Sequence, residues 1–449
     1  MITKLQTGRN FLFNPVSTEI FNFKILGNPS IEALKASISN AVLNYQILNC
    51  RILGDIDGEY YFVPKESVNE PYIEVRDYEL SAEEFTNEQS SIPFDLAKGE
   101  FQRFIIIPKS DYIVMNIVQH HIVGDGMSLL MLVQKIMQNL DTIDKNNGDL
   151  ELEVPNMEKI QVLTNDDIME HVRLNDLLQA TVDKFNEEWK DEKMIFSYEE
   201  FKEFSEEYWN DNPIKVRRDL VSAEDMENIV QLCRAEGITV NSLLYTIASR
   251  AFGKKMKMGY VVNCRTDKFS SYGNFVNSLI VDCFYDEKLS FWDNARIIHN
   301  IMKCNAQDLS TPLLGTLIMN SLDGTLIDAS NFLHKKGFEH KIVKEYVDTL
   351  SLGDQTIPFL SSNLGVIKIP TVYGKYQIDE LYIGSPLDPL LDCNLGVITV
   401  NGKMTINAEY INKNGIDYND ILDQVIEGLH EVACGVEQNS SDERELQLV

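Results

Sequence analysis

Histidine is scarce in this chain of 449 residues: there are seven, and two of them, His120 and His121, are adjacent. The seven cysteines are odd in number and widely scattered, and no C-x-x-C pair occurs. That pattern excludes a disulfide framework and a cysteine-rich zinc site, and it predicts a reduced, cytoplasmic protein. Positive charge is also short, with 40 Lys and Arg against 69 Asp and Glu, for a net charge of −29. Such a surface repels a polyanion, so no nucleic-acid partner is expected. The longest apolar runs, such as Tyr112 to Met115 and Leu129 to Val133, fall far short of the ~20 residues that cross a bilayer. The start, MITKLQTGRNFLF, lacks the pattern of a secretory signal, so export is not expected.

Several reactive signatures are missing as well. There is no H-E-x-x-H, no G-x-S-x-G nucleophile elbow and no Walker-type G-x-x-x-x-G-K. Residues 124–129 lack the third glycine of a dinucleotide fingerprint, and Asp55-Ile56-Asp57-Gly58 is a fragment of a calcium loop that a hairpin turn explains. No metal site and no tightly bound cofactor are expected.

What is present is ample apolar content, 44 % of residues, in a chain long enough for two mixed α/β domains. Asn28-Pro29 reads as an N-cap and first helical residue, followed by Ile31, Leu34, Ile38, Val42 and Tyr45 at helical spacing. Cys50 to Leu53 and Tyr60 to Val63 read as a hairpin, and Phe104 to Pro108 and Tyr112 to His120 as further strands. The period changes after Asp125, where Leu129, Val133, Ile136 and Leu140 predict a helix. An acidic crossover with one or two helices is expected over 161–219. Ser222-Ala223-Glu224-Asp225 resembles a capping box, with the helix stopping at Gly237 and another starting at Val240. Strands are predicted at Tyr260 to Cys264, Phe275 to Phe284, Gly396 to Val400 and Met404 to Tyr410, the last two joined by a tight Asn401-Gly402 turn. A helix over Asp417 to Val432 and a polar tail over 437–449 complete the chain. The basic clusters at Lys215 to Arg218, Lys254 to Lys257 and His334 to Lys344 read as solvated faces, and they are the candidate landing places for a phosphorylated ligand.

The stretch QHHIVGDGMS, residues 119–128, therefore lies at a strand-to-helix turn. Adjacent strand residues point to opposite faces, so His120 and His121 are poorly placed to share a metal ion. A lone imidazole can instead take a proton near neutral pH, as from an alcohol or amine attacking a carbonyl. Asp125 either caps the helix or orients that imidazole, and Gly126 allows close approach of a backbone N–H to a developing oxyanion.

H-H-x-x-x-D-G resembles the signature of the condensation-domain and chloramphenicol-acetyltransferase-like superfamily, which includes nonribosomal peptide condensation domains, BAHD acyltransferases and alcohol acetyltransferases. Residues 262–267, VNCRTD, are similar to its arginine-bearing strand end, 272–279, YGNFVNSL, to its G-x-F-V-N-T/S-L segment, and 361–365, SSNLG, to its S-N-x-G segment. The resemblance covers essentially the whole chain. It implies two acetyltransferase-like halves, over 1–160 and 220–436, forming a V with a tunnel between them. It also implies a pantetheine thioester donor, an alcohol or amine acceptor, and His121 as general base. Asp125 would pair with Arg265, His120 would support the fold, and Asn363 would either bond near the reacting centre or hold a turn.

The D-F-G-W-G motif of plant BAHD enzymes is missing, and Gly-Met-Ser at 126–128 is closer to the alcohol acetyltransferase pattern. The chain is expected to act as a free-standing monomer. Its donor is acyl-CoA or an acyl-carrier protein, and the acidic surface favours acyl-CoA. A stand-alone amide-forming condensation enzyme and a non-catalytic docking protein are the alternatives.

Overall fold

The computed structural model describes residues 2–67, 70–350, 357–385, 387–412 and 415–435. In the first half the strands are β1 (Thr3–Lys4), β2 (Thr18–Leu26), β3 (Cys50–Gly54), β4 (Tyr60–Pro64), β5 (Tyr72–Val75), β6 (Gln102–Pro108) and β7 (Tyr112–His120). In the second they are β8 (Lys215–Val221), β9 (Met256–Asn263), β10 (Val276–Cys283), β11 (Phe359–Val366), β12 (Val372–Tyr373), β13 (Tyr376–Gly384), β14 (Cys393–Val400) and β15 (Lys403–Tyr410). The helices that matter for the site are α1 (Ile31–Leu43), α2 (Ala82–Ser91) and α3 (Gly126–Lys145).

These strands form two six-stranded sheets, ordered β12-β13-β2-β7-β6-β5 and β10-β9-β11-β14-β15-β8, and a small sheet β1-β4-β3. The first sheet is antiparallel except at β5 and β6, and in the second β11 runs parallel to both β9 and β14. Each sheet and its helices make one half, as expected of two acetyltransferase-like units in a mixed α/β protein. Strand β7 is buried along nearly its whole length, so its residues read as a continuous apolar run instead of alternating. In α3, Leu129, Val133, Ile136 and Leu140 are fully buried on one stripe, and the helix packs along α1. The second sheet is covered by helices Ala223–Ala235, Val240–Phe252, Phe291–Ala306 and Tyr418–Ala433, whose apolar faces share one core with it.

The halves are not separate stretches of chain. Strands β12 and β13 lie well beyond residue 220, yet they extend the first sheet by pairing β13 with β2. The two sheets then touch where β13 crosses β14: a Cβ on Gly396 would sit 2.0 Å from the Ile383 carbonyl oxygen. No side chain fits there.

Several expectations shift in detail. The first helix is capped by Ser30, whose hydroxyl accepts from Ala33 N–H at 3.1 Å, while Asn28 takes a left-handed φ of 50° in the preceding turn. Ser30 wins because its side chain reaches that third N–H from extended backbone. The crossover holds three helices, Asn165–Met169, Asp176–Trp189 and Tyr198–Asp211, and its last residues already belong to β8. Ser222 caps its helix at Asp225 N–H, but Asp225 returns its carboxylate to the serine hydroxyl, so the reciprocal backbone bond of a capping box is not formed. Arg217 and Arg218, read as solvated, are engaged within the fold by Asp219 and Asp423 and by Asn22 and Asn407 respectively. Asn401 and Gly402 take φ of 51° and 80°, as a type I′ turn requires. The predicted tail over 437–449 lies outside the described residues.

Candidate active site

β7 ends at His120 because the chain turns there: His121 N–H donates to Ser17 O at 2.7 Å, and Val123 N–H to His120 O at 3.2 Å. The turn is tight at Gly124, where a Cβ would lie 2.9 Å from both Gln119 Nε2 and Tyr272 Cε1. That lack of a side chain lets the Gly124 carbonyl come within 2.9 Å of His121 Nδ1. A carbonyl can only accept, so Nδ1 carries the hydrogen and Nε2 keeps its lone pair. Asn274 Nδ2 donates to the His121 carbonyl at 3.0 Å, and the Phe11 ring packs 4.6 Å from the imidazole. The ring is therefore oriented by one backbone carbonyl, that of Gly124, while the Asn274 carboxamide holds the backbone of the turn.

His120 points the other way. It is 3 % exposed, accepts from Ile122 N–H at 3.2 Å and meets Phe94 edge-on. Burial pushes its pKa down to about 3, with the His121 and Arg103 charges adding to the effect, so the ring is neutral and works as a turn brace.

Asp125 and Gly126 begin α3. Asp125 Oδ1 accepts from Ser128 N–H at 3.0 Å, and Oδ2 accepts from Arg265 Nη1 at 2.6 Å and from Phe275 N–H at 2.9 Å. Arg265 is held in turn by Ser128 Oγ and Gly273 O, each at 2.9 Å, and lies over the Phe275 ring. Both carboxylate oxygens are thus occupied and neither bonds to the imidazole. Asp125 locks one half to the other. Tyr272 enters the first half beside it, its hydroxyl bonded to Gln119 and accepting from Gln102 Nε2 at 2.9 Å.

Gly126 stands in the first helical turn, whose N–H groups have no intrahelical acceptor, and a Cβ there would press on Leu364 at 3.0 Å. Asn363, near the end of β11, is spent locally. Its carboxamide oxygen accepts from Gly365 N–H at 2.8 Å, at an irregularity in the strand register, and its nitrogen donates to Asn241 at 3.2 Å.

His121 opens onto a cavity of about 830 Å³ between the halves, walled by Glu19, His121 and Met127 on one side and by residues such as Asn277, Thr316 and Leu391 on the other. That size suits a small-molecule site. Among the described residues, no group of three His, Cys, Asp or Glu side chains gathers as metal ligands would, and no helix is long and apolar enough to cross a membrane.

Two residues at the centre escaped the reading of the sequence. Asn274 lies inside the quoted YGNFVNSL segment but had no assigned role. Glu19 lies on β2, where the alternation of Phe21, Phe23 and Ile25 gives a period-two signal that marks the strand. It is 5 % exposed, and its Oε1 is 3.5 Å from His121 Nε2.

The fold has known counterparts. The whole chain superposes on the first condensation domain of the CDA synthetase, with a TM-score of 0.63, 13 % identity, and 99 % of this chain and 98 % of that one covered. It is likewise similar to polyketide synthase associated protein 5 from Mycobacterium tuberculosis, at a TM-score of 0.60, 12 % identity and coverage of 98 % and 99 %. A third likeness is to the epimerization domain from the third module of tyrocidine synthetase B, at 0.62, 10 % identity and coverage of 97 % and 98 %. No curated protein matches in sequence. Residues 14–156 match the family model of the condensation domain, and the likeness to the solved condensation-domain structures extends that fold over the whole chain.

Proposed function

We propose that this protein transfers an acyl group from a pantetheine thioester to an alcohol or amine, with His121 as general base. The observation that carries the reading is the Gly124 carbonyl at His121 Nδ1, which leaves the lone pair on Nε2 of a side chain that lines the cavity between the halves. The acceptor gives its proton to Nε2 as it attacks the thioester carbonyl, and the departing thiolate recovers that proton. No covalent acyl-enzyme is needed, so both substrates are held at once and much of the acceleration comes from positioning. The N–H groups at the start of α3, Gly126 among them, are donors for the developing oxyanion. Asp125, Arg265 and Asn274 position the turn.

Acyl-CoA is the favoured donor, because a net charge of −29 opposes an acidic carrier protein. The test is thiol release from acyl-CoA, and separately from an acyl-carrier protein, against a panel of alcohols and amines. Release that depends on both an acceptor and His121 supports the reading. Acceptor-independent release, or no release from either donor, overturns it.

A further inference from the structure

The base nitrogen does not face the cavity alone. Strands β2 and β7 pair so that Glu19 lies opposite Gln119, and the turn after His120 brings the next residue's ring back over that carboxylate. Glu19 Oε2 accepts from Gln119 Nε2 at 3.3 Å, while Oε1 stands 3.5 Å from His121 Nε2. Gln119 is in turn fixed by Gln102 and Tyr272, so the carboxylate is held from behind. Both Glu19 and His121 line the cavity.

We infer that Glu19 is a positioning residue for the base: its carboxylate holds the positive charge that forms on His121 and sets the pH at which the Nε2 lone pair is available. This rests on the acyl-transfer reading of the site. The neighbouring oxygen has three relevant states. With Glu19 ionised and His121 neutral, Nε2 is free to accept a proton. When the acceptor X–H attacks, the X–C bond forms and its proton moves to Nε2, giving an imidazolium beside a carboxylate. The C–S bond then breaks and the thiolate takes the proton from Nε2, while Glu19 stays ionised throughout. If Glu19 is instead protonated, its O–H donates to Nε2 and the base is silenced.

The other groups facing Glu19 leave it this role. Asp125 at the start of α3 and Arg265 after β9 neutralise one another in their ion pair, and Tyr272 is a buried phenol held in its neutral form by desolvation. His121 is the nearest group able to become a cation. Burial raises the Glu19 carboxyl to about 7, against the pull of His121, so its protonation changes near neutral pH, where it can govern the base.

The test is an NMR titration of the substrate-free full chain labelled at histidine Cε1, with the His121 resonance assigned by its loss in His121→Asn. In Glu19→Gln the midpoint of that resonance should fall by about one pH unit or more, since an opposite charge within ~4–6 Å favours the charged form. An unchanged midpoint in a folded Glu19→Gln protein overturns the inference. The native chain gives a second reading that needs no variant. Two groups so coupled titrate in two macroscopic steps, and a single-step curve for His121 equally overturns it. Activity is not involved in either measurement. A shifted midpoint in a chain that releases no thiol keeps the pair and refutes only the acyl-transfer reading.

Discussion

Two buried carboxylates flank the turn at residues 121–125, and they are treated in opposite ways. Asp125 receives three hydrogen bonds, one from a guanidinium, and none of them comes from the imidazole. Glu19 receives one amide bond and otherwise faces a histidine across 3.5 Å. The saturated carboxylate belongs to architecture, since its partners come from both halves of the molecule. The unsaturated one is available to respond when charge appears. The turn thus sits between a fixed joint and a responsive group, and only the joint is part of the motif.

The sharpest way to break this comparison is to remove what the turn serves. His121→Ala should lower turnover by roughly 10²–10⁴, the usual contribution of a general base, with thermal melting little changed. Steady-state thiol release measures it, and near-normal turnover would detach the cavity from the motif. Next comes the joint. Arg265→Ala leaves Asp125 buried without its cation, which should cost about 3–5 kcal/mol in urea unfolding; an unaltered unfolding midpoint would show that the pair locks nothing.

Glu19 should behave in the reverse sense. Its native carboxyl titrates at about 7 against an ordinary 4.5, so the native state binds that proton more tightly than the unfolded chain. The resulting stability is complete below about pH 4.5 and is lost as pH rises through about 7. Glu19→Gln cannot ionise. It should therefore match the parent in acid and exceed it above pH 7, by on the order of 3 kcal/mol at most. Melting curves at pH 4 and pH 8 would decide it, and a variant less stable at both values would mean that the ionised carboxylate is well satisfied. A residue kept at a cost to stability is what a functional site predicts. The smallest effect belongs to Asn274→Ala, which removes the carboxamide's 3.0 Å hydrogen bond to the His121 carbonyl and its 3.3 Å contact with Nδ1: about 1 kcal/mol of stability. A loss of several kcal/mol there would move Asn274 from support to joint.

Much of this was legible from residues alone. The strand-to-helix turn announced itself by the change of period after Asp125, and the Asn401-Gly402 hairpin by its left-handed pair of residues. His121 and the Asp125–Arg265 partnership came from motif likeness, because residues 125 and 265 are brought together only by the packing of two halves. Glu19 was hidden for a different reason. On β2 Glu19 shares its face with the buried Phe21, Phe23 and Ile25, while Asn22 and Lys24 lie less covered, so the alternation places it on the covered side but nothing local says that it meets His121. Asn363 shows the converse: a residue marked by its segment lines the same cavity, yet its carboxamide oxygen holds its own strand end. Strands β12 and β13 were missed as members of the first sheet, since joining a sheet laid down some 250 residues earlier leaves no trace in local pattern.

That late pair of strands changes how the molecule can be taken apart. A gene cut near residue 220 would yield an amino-terminal fragment whose sheet ends at β2, leaving a long apolar edge open to aggregation. Complementation by split fragments should succeed only when the carboxy-terminal piece supplies β13 in trans. For the same reason the two sides of the cleft are not independent lobes, because β13 stitches chain from beyond residue 220 into the frame of the first sheet.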